Sequence, residues 1–272
     1  YIGLFNKILL AFILNKKPVF YFNKGLKVQK SVTTFKRSII LKYSHAKDEF
    51  HKFCLDNLTN EIPTCYLENF SDLLKSVDDL SLPDAPDIIF TGSGVEVDEI
   101  IRMYIAKNII KGSEYIISQH GGVYGTRLIP TKSEFYEHRV CDKWISWGWT
   151  DSKNSKIKRG VNIKDIHRKP YDFSYGKKIL FALPNITYIS SRLMPLQPIN
   201  RIRQNTSMIK GLNDNVLKDL VIRSHPNHTQ KSYVKDIAGT CEISSEKDFW
   251  ADLINSRLFI TTNNSTTFLQ SM

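Results

Sequence analysis

Apolar positions along the chain follow two periods. Short continuous apolar runs read as buried strands, and stretches with apolar residues three or four apart read as helices. From Asp48 to Leu80 the helical spacing is carried by Phe50, Phe53, Leu55, Leu58, Leu67, Phe70, Leu73, Leu74 and Val77. A proline-rich turn, Ser81 to Pro86, then delivers a strand at Asp87–Thr91 that runs into Gly92-Ser93-Gly94. Val97, Ile100, Ile101, Tyr104, Ile105 and Ile109 predict a helix over Glu96–Lys111, stopped by Gly112. The next apolar run, Tyr115 to Ser118, is a strand ending in Gln119-His120-Gly121-Gly122, and Trp144–Trp149 reads as another. In the first 45 residues, Ile8–Leu14 reads as a helix, and Pro18–Phe22 and Ser38–Tyr43 as strands.

Between Thr150 and Tyr175 the pattern breaks into a polar, basic stretch that reads as a linker. Beyond it come a strand at Lys177–Pro184, a helical region at Asn200–Leu220 and a strand at Leu220–Arg223 that enters Ser224-His225-Pro226. A helix over Phe249–Ser256 and a strand over Leu258–Thr262 lead to Asn263-Asn264-Ser265-Thr266-Thr267. Strands alternating with helices predict an α/β fold with parallel sheets. The expected organisation is an N-terminal α/β domain over residues 1–150, a linker over 151–175 and a C-terminal α/β domain over 176–272. Starting at Tyr1 and stopping at Met272, just inside a helix start, the sequence reads as lacking parts of both end elements, so the C-terminal domain is expected to be truncated.

Composition changes this picture in three ways. The formal net charge is +11, which suits anionic partners such as nucleotide-activated substrates or an acidic membrane surface. No stripe of aromatic residues interleaved with Lys and Arg appears, so nucleic acid is not an expected partner. The four cysteines, Cys54, Cys65, Cys141 and Cys241, lack metal-site spacing and a disulfide pattern, which fits a reducing cytoplasm. The apolar stretch at Ile8–Leu14 falls well short of the roughly 20 residues that span a membrane.

Three groups of polar residues follow directly on strand ends, where open α/β sheets bind ligands. His120 can act as a general base, with Glu137 and Asp142 as rival bases or orienting groups. Gly121 and Gly122 offer backbone that a ligand can approach closely, beside Tyr124. Arg223, His225 and Pro226 can hold an anionic group, and the hydroxyls of Ser265, Thr266 and Thr267 after Asn264 suit a phosphate at a helix start. Trp144, Trp147 and Trp149 read as packing residues, and His138 and His228 as exposed. No Gly-x-Ser-x-Gly elbow supports a serine hydrolase. No metal cluster is expected.

The series Gln119-His120-Gly121-Gly122, Tyr124-Gly125, Glu137, Asp142, Trp147-Gly148-Trp149 and Asn264-Ser265-Thr266-Thr267 resembles transferases found in bacterial O-antigen and surface-polysaccharide loci. More distantly, His120-Gly121, His225-Pro226 and Thr262–Thr266 resemble elements of CDP-glycerol glycerophosphotransferases and of CMP-sugar transferases, with Asn263 where the former have Asp. The resemblance implies a GT-B-like fold, two Rossmann-like domains facing a cleft. It implies His120 as catalytic base, and His225, Ser265 and Thr266 as holders of the donor nucleotide. It further implies metal-independent transfer of a sugar or polyol-phosphate from a CMP- or CDP-linked donor to a glycan or lipid-linked acceptor. No cofactor is expected beyond that donor, and the location is the cytoplasm, with peripheral contact to the inner face of the membrane. The alternatives are a GT-B-type nucleotide-sugar epimerase and a non-catalytic basic binding module.

Overall fold

In the computed structural model the described residues are 13, 15, 18–21, 37, 46–162, 165, 175–184, 198–225, 231–263 and 265–272. The expected elements at Ile8–Leu14 and Ser38–Tyr43 fall outside these, apart from Ile13, and residues 18–21 form no strand. By contacts the chain divides into two compact units, one of residues 1–120 and 133–160, the other of 121–132 and 161–272.

The first unit opens with helices α1 (Glu49–Glu61) and α2 (Phe70–Asp78), followed by strand β1 (Ile88–Thr91). The helix expected over Glu96–Lys111 is two helices, α3 (Gly94–Val97) and α4 (Glu99–Ile109). The break is at Asp98, whose extended backbone lets its carboxylate cap α4 by accepting from the Ile100 and Ile101 amides at 3.0 and 3.2 Å. Such a cap is worth about 1 kcal/mol, enough to interrupt an otherwise continuous apolar period. Gly112, at φ +99°, stops α4 as expected.

Strand β2 (Glu114–Ser118), helix α5 (Lys132–Val140), strand β3 (Lys143–Ser146) and strand β4 (Ile157–Arg159) complete the unit. The four strands form one parallel sheet in the order β1-β2-β3-β4. The aromatic run counted as one strand through Trp149 pairs only as far as Ser146. Gly148 turns the chain there at φ +96°. β4 lies inside the stretch read as linker, because its three residues carry one buried position, Ile157, between polar neighbours. Leu73 and Val77 of α2 and Ile100, Ile101, Tyr104 and Ile105 of α4 are buried, as are Tyr115, Ile117 and Trp144 of the sheet. Each such side chain contributes roughly 1.5–3 kcal/mol.

The second unit holds strand β5 (Lys178–Ala182), helices α6 (Pro198–Lys210) and α7 (Asp214–Leu217), strand β6 (Leu220–Arg223) and helix α8 (Lys231–Ala238). It continues with strand β7 (Glu242–Ile243), helix α9 (Phe249–Ile254), strand β8 (Ser256–Thr261) and helix α10 (Thr266–Gln270). Its sheet is also four-stranded and parallel, in the order β7-β6-β5-β8. Ile179 and Phe181 of β5 face one side, with Ile209, Tyr233, Val234 and Ile237 of α6 and α8. Leu180 faces the other, with Leu253 of α9. This alternation is the period of a strand buried on both faces. Two parallel sheets flanked by helices make the chain a mixed α/β protein compatible with Rossmann-like units.

Among the described residues, no helix is long and apolar enough to cross a membrane.

Candidate functional site

In the first unit the functional side chains gather at the carboxyl edge of the sheet. Gln119, directly after β2, is buried, and its backbone N–H donates to the Ile145 carbonyl at 2.8 Å. Its Oε1 accepts from the Trp147 backbone N–H at 2.8 Å and from the Trp149 indole N–H at 3.0 Å. The glutamine thereby ties the end of β3 to β2 and fixes where the next residue, His120, emerges.

The imidazole of His120 stands between two carboxylates. Its Nδ1 is 3.6 Å from Glu137 Oε1, and its Nε2 is 3.7 Å from Glu96 Oε2. Glu137 comes from α5 and its side chain is fully buried. A carboxylate there needs partners, and the Trp144 indole N–H supplies one by donating to Oε2 at 2.9 Å. Glu96 comes from α3 and remains partly open to solvent, as does the imidazole. Strand β2, helix α5 and the short helix after β1 thus converge on one ring.

Asp142 is not brought to this cluster. It precedes β3 at the amino edge of the sheet, where its carboxylate accepts from the Tyr115 amide at 2.8 Å. Its own amide donates to the Tyr115 carbonyl at 2.9 Å, so the residue ties the starts of β2 and β3 together. The tryptophans behave as packing residues: Trp144 is fully buried and stacks at a tilt on Trp149. His138, expected to be exposed, is instead half-buried edge-on to Trp144, and its Nε2 has no hydrogen-bond partner among the described residues. Burial lowers its pKa.

The second unit gathers the other expected residues on the carboxyl edge of its own sheet. His225 follows β6 and Ser265 follows β8, the two strands flanking β5. Burial lowers the pKa of His225, so at neutral pH its ring donates through an N–H rather than as a cation. Ser265 stands at the N-cap position of α10 without capping it, and shares a 2.6 Å hydrogen bond with the Thr267 hydroxyl. Pro226 and Asn264 lie outside the described residues.

Gly121, Gly122 and Tyr124 belong to this second unit by contacts. Tyr124 is buried, and a Cβ on Gly121 would meet its ring at 3.8 Å, an ordinary contact. A Cβ on Gly122 would lie 2.2 Å from the Ser265 carbonyl oxygen and 2.9 Å from the Thr266 nitrogen. The glycine expected to admit a ligand therefore admits the chain's own backbone.

Arg223 is also occupied. Its guanidinium forms an ion pair with Asp252 and donates to the carbonyls of Glu246 at 3.0 Å and Lys247 at 3.1 Å. The Ser244 hydroxyl donates to the same Asp252 oxygen at 2.7 Å, and the Phe249 ring lies 5.9 Å from the guanidinium carbon. Arg223 clamps the segment between β7 and α9 and does not stand open toward an anion.

Sequence reasoning passed over Glu96, reading it only as the first residue of a helix. The usable signal was its place two residues beyond Gly94, on the turn that follows a strand adjacent to the one ending in His120. Glu96, His120 and Glu137 also offer one ligand atom each within 4.8 Å of one another, the spacing of a metal-binding group among the described residues. One imidazole nitrogen and one oxygen from each carboxylate make up that set. The cysteines stand apart from this group: Cys65 and Cys141 are buried, and burial pushes the Cys141 thiol up to about 11.

Two four-stranded parallel sheets with polar side chains on their carboxyl edges define an α/β protein with the kind of edge at which open sheets bind ligands. The family model described as LIC12162 family transferase matches residues 1–272, and the chain belongs to that family. It is also similar to zinc finger protein klf1 of Schizosaccharomyces pombe, 27% identical over 133 residues, 47% of this chain and 16% of that protein. The chain thus spans under a fifth of that relative. No solved structure matches the chain.

Proposed function

We propose that the protein is a GT-B-type transferase that moves a sugar or polyol-phosphate unit from a nucleotide-activated donor, CMP- or CDP-linked, to a cell-surface glycan precursor. The observation that carries this reading is the pairing of His120 with the buried Glu137, itself held by Trp144. A base oriented from behind by a carboxylate is the arrangement that activates a hydroxyl. The 3.6 Å separation exceeds a hydrogen bond, and such pairs commonly tighten when substrate binds.

In this reading His120 Nε2 takes the proton of the acceptor hydroxyl. The acceptor oxygen forms a bond to the transferred carbon or phosphorus as the bond to the nucleotide phosphate breaks, and that phosphate leaves with the electron pair. His225 donates a ring N–H to the donor phosphate, and the hydroxyls of Ser265, Thr266 and Thr267 hold the same group. Pro226 and Asn264 are counted with the donor-binding residues in this reading. No step is assigned to a metal. The acceptor is a glycan or a lipid-linked glycan, and the net charge of +11 favours work at an anionic membrane surface.

The test is a thermal-shift titration of the full-length protein with CMP, CDP, UDP and GDP, repeated on His225→Ala. A ligand that binds only the native state raises the melting temperature. Stabilisation by a cytidine nucleotide, lost in the variant, supports the reading. Stabilisation by UDP alone discards the cytidine donor. No shift with any of the four removes the donor site and brings the binding module forward.

A further inference from the structure

The loop that follows His120 is fixed at its base and bare at its tip. At the base Tyr124 is buried, Gly122 fits against the Ser265–Thr266 peptide, and the Thr126 hydroxyl donates to the Val123 carbonyl at 2.9 Å. Gly125, at φ +70°, turns the chain there, and every residue from Gly125 to Pro130 is exposed. At the tip Leu128 retains 101% of its exposure and Ile129 79%. A lone exposed aliphatic side chain is ordinary. Here two stand side by side on an anchored loop, and Pro130 extends them.

The charges around the tip have one sign. Arg127 precedes it and Lys132 follows it, both exposed, and no Asp or Glu occurs from Tyr115 to Ser133. An aliphatic pair between two cations suits the interface of a bilayer. There the acyl boundary takes Leu128 and Ile129, and anionic phosphate headgroups meet Arg127 and Lys132. A nucleic-acid backbone would meet the cations and leave the aliphatic pair in water. A second copy docked through the same tip would set like charges against each other, which interfaces penalise.

We propose that the loop from Arg127 to Lys132 docks the protein on a bilayer carrying anionic phospholipid, with Leu128 and Ile129 entering the boundary between headgroups and acyl chains. This rests on the reading of the protein as a transferase with a lipid-linked acceptor, and it names the surface that meets the lipid. The loop continues directly from His120, so docking anchors the chain close in sequence to the candidate base.

The test is sedimentation of the full-length protein with vesicles of phosphatidylcholine alone and of phosphatidylcholine mixed equally with phosphatidylglycerol. The expected result is binding to the mixed vesicles that weakens as salt is added, and little binding to phosphatidylcholine alone. Arg127→Gln with Lys132→Gln should weaken it about fivefold for each charge removed. Leu128→Ser with Ile129→Ser should weaken it by about tenfold or more. All four side chains are exposed, so the melting temperature of either double variant should match the parent's, which separates lost docking from lost folding. Parent-like binding by either double variant overturns the proposal, as does a parent that ignores the mixed vesicles. A solution dimer that the Leu128→Ser, Ile129→Ser variant dissociates, with no vesicle binding, also overturns it and gives the tip to a second copy. The nucleotide titration, run without vesicles, separates the two readings. Tip-dependent vesicle binding without nucleotide stabilisation keeps the docking loop and removes the donor site, and nucleotide stabilisation without vesicle binding does the reverse.

Discussion

Gly122 lies against Ser265: a Cβ built on the glycine would sit 2.2 Å from the serine's carbonyl oxygen. Two motifs separated by more than a hundred residues, each recognisable as functional by its own residue types, are thus in backbone contact within the second unit. No rotamer relieves a clash between a Cβ and a peptide group, so Gly122→Ala must push the loop before α10 away. Overpacking of this kind costs roughly 1–3 kcal/mol. Denaturant unfolding of Gly122→Ala is expected to show that loss, together with a smaller nucleotide-induced shift. Gly148→Ala is a useful comparison: it stands at φ +96° with nothing among the described residues within 4 Å of its Cβ position, so its cost is backbone strain and should leave the nucleotide response intact.

Glu137 separates orientation from stability. Glu137→Gln keeps an oxygen for the Trp144 indole N–H, now 2.9 Å from Oε2, so the fold should lose little. The variant gives up the carboxylate facing Nδ1 of His120, and with it control of the ring's tautomer. Transfer should fall by about 10²–10⁴, the range assigned to a positioned acid–base group, while the melting temperature changes little. Glu137→Ala should lose both, since a buried N–H left without a partner costs about 1–3 kcal/mol beyond the cavity. A Glu137→Gln variant that retains full activity would remove the orienting role.

The parallel sheets were legible because β2, β5 and β6 are apolar runs of the right length, bounded by turn residues. The strand tips were legible because His120 and His225 follow those runs directly. Other features depend on contacts that no local pattern carries. β4 has one apolar residue among polar ones and exists because Trp144, Ile145 and Ser146 pair with it. Asp142 has the chemistry of a catalytic carboxylate, but it caps the opposite end of the sheet. Gly122 and Arg223 look like ligand-binding residues, and both are used up by the chain itself, one by the Ser265–Thr266 peptide and one by Asp252. Residue type showed what chemistry was available. Which partner claims it is decided in three dimensions.

Acid should weaken the fold through His138. Burial lowers its pKa below the ordinary histidine value of 6.5, so the native state prefers the neutral ring. Between the native pKa and 6.5 the unfolded chain therefore binds more protons, and stability rises with pH through that window. The stabilisation is complete above the unfolded value and is lost as pH falls through 6.5 toward the native pKa. His138→Phe keeps the edge-on contact with Trp144 and removes the proton. Its unfolding free energy should depend less on pH between about 5 and 7 than the parent's. An unchanged dependence would move the effect to His225, whose pKa burial also lowers.

Arg223 and Asp252 test whether a basic residue at a strand tip serves a ligand or the fold. The two side chains retain only 12% and 9% of their exposure, so removing one leaves the other charged and nearly buried. Arg223→Met should cost roughly 3–5 kcal/mol, the usual penalty for breaking a buried pair from one side. The double variant Arg223→Met with Asp252→Leu removes both charges and should regain much of that loss, because apolar replacements of a buried pair are often tolerated. It should also respond to nucleotides as the parent does. A donor-binding arginine would behave differently: the double variant would recover its stability and still fail to respond, and the anion site would then return to Arg223.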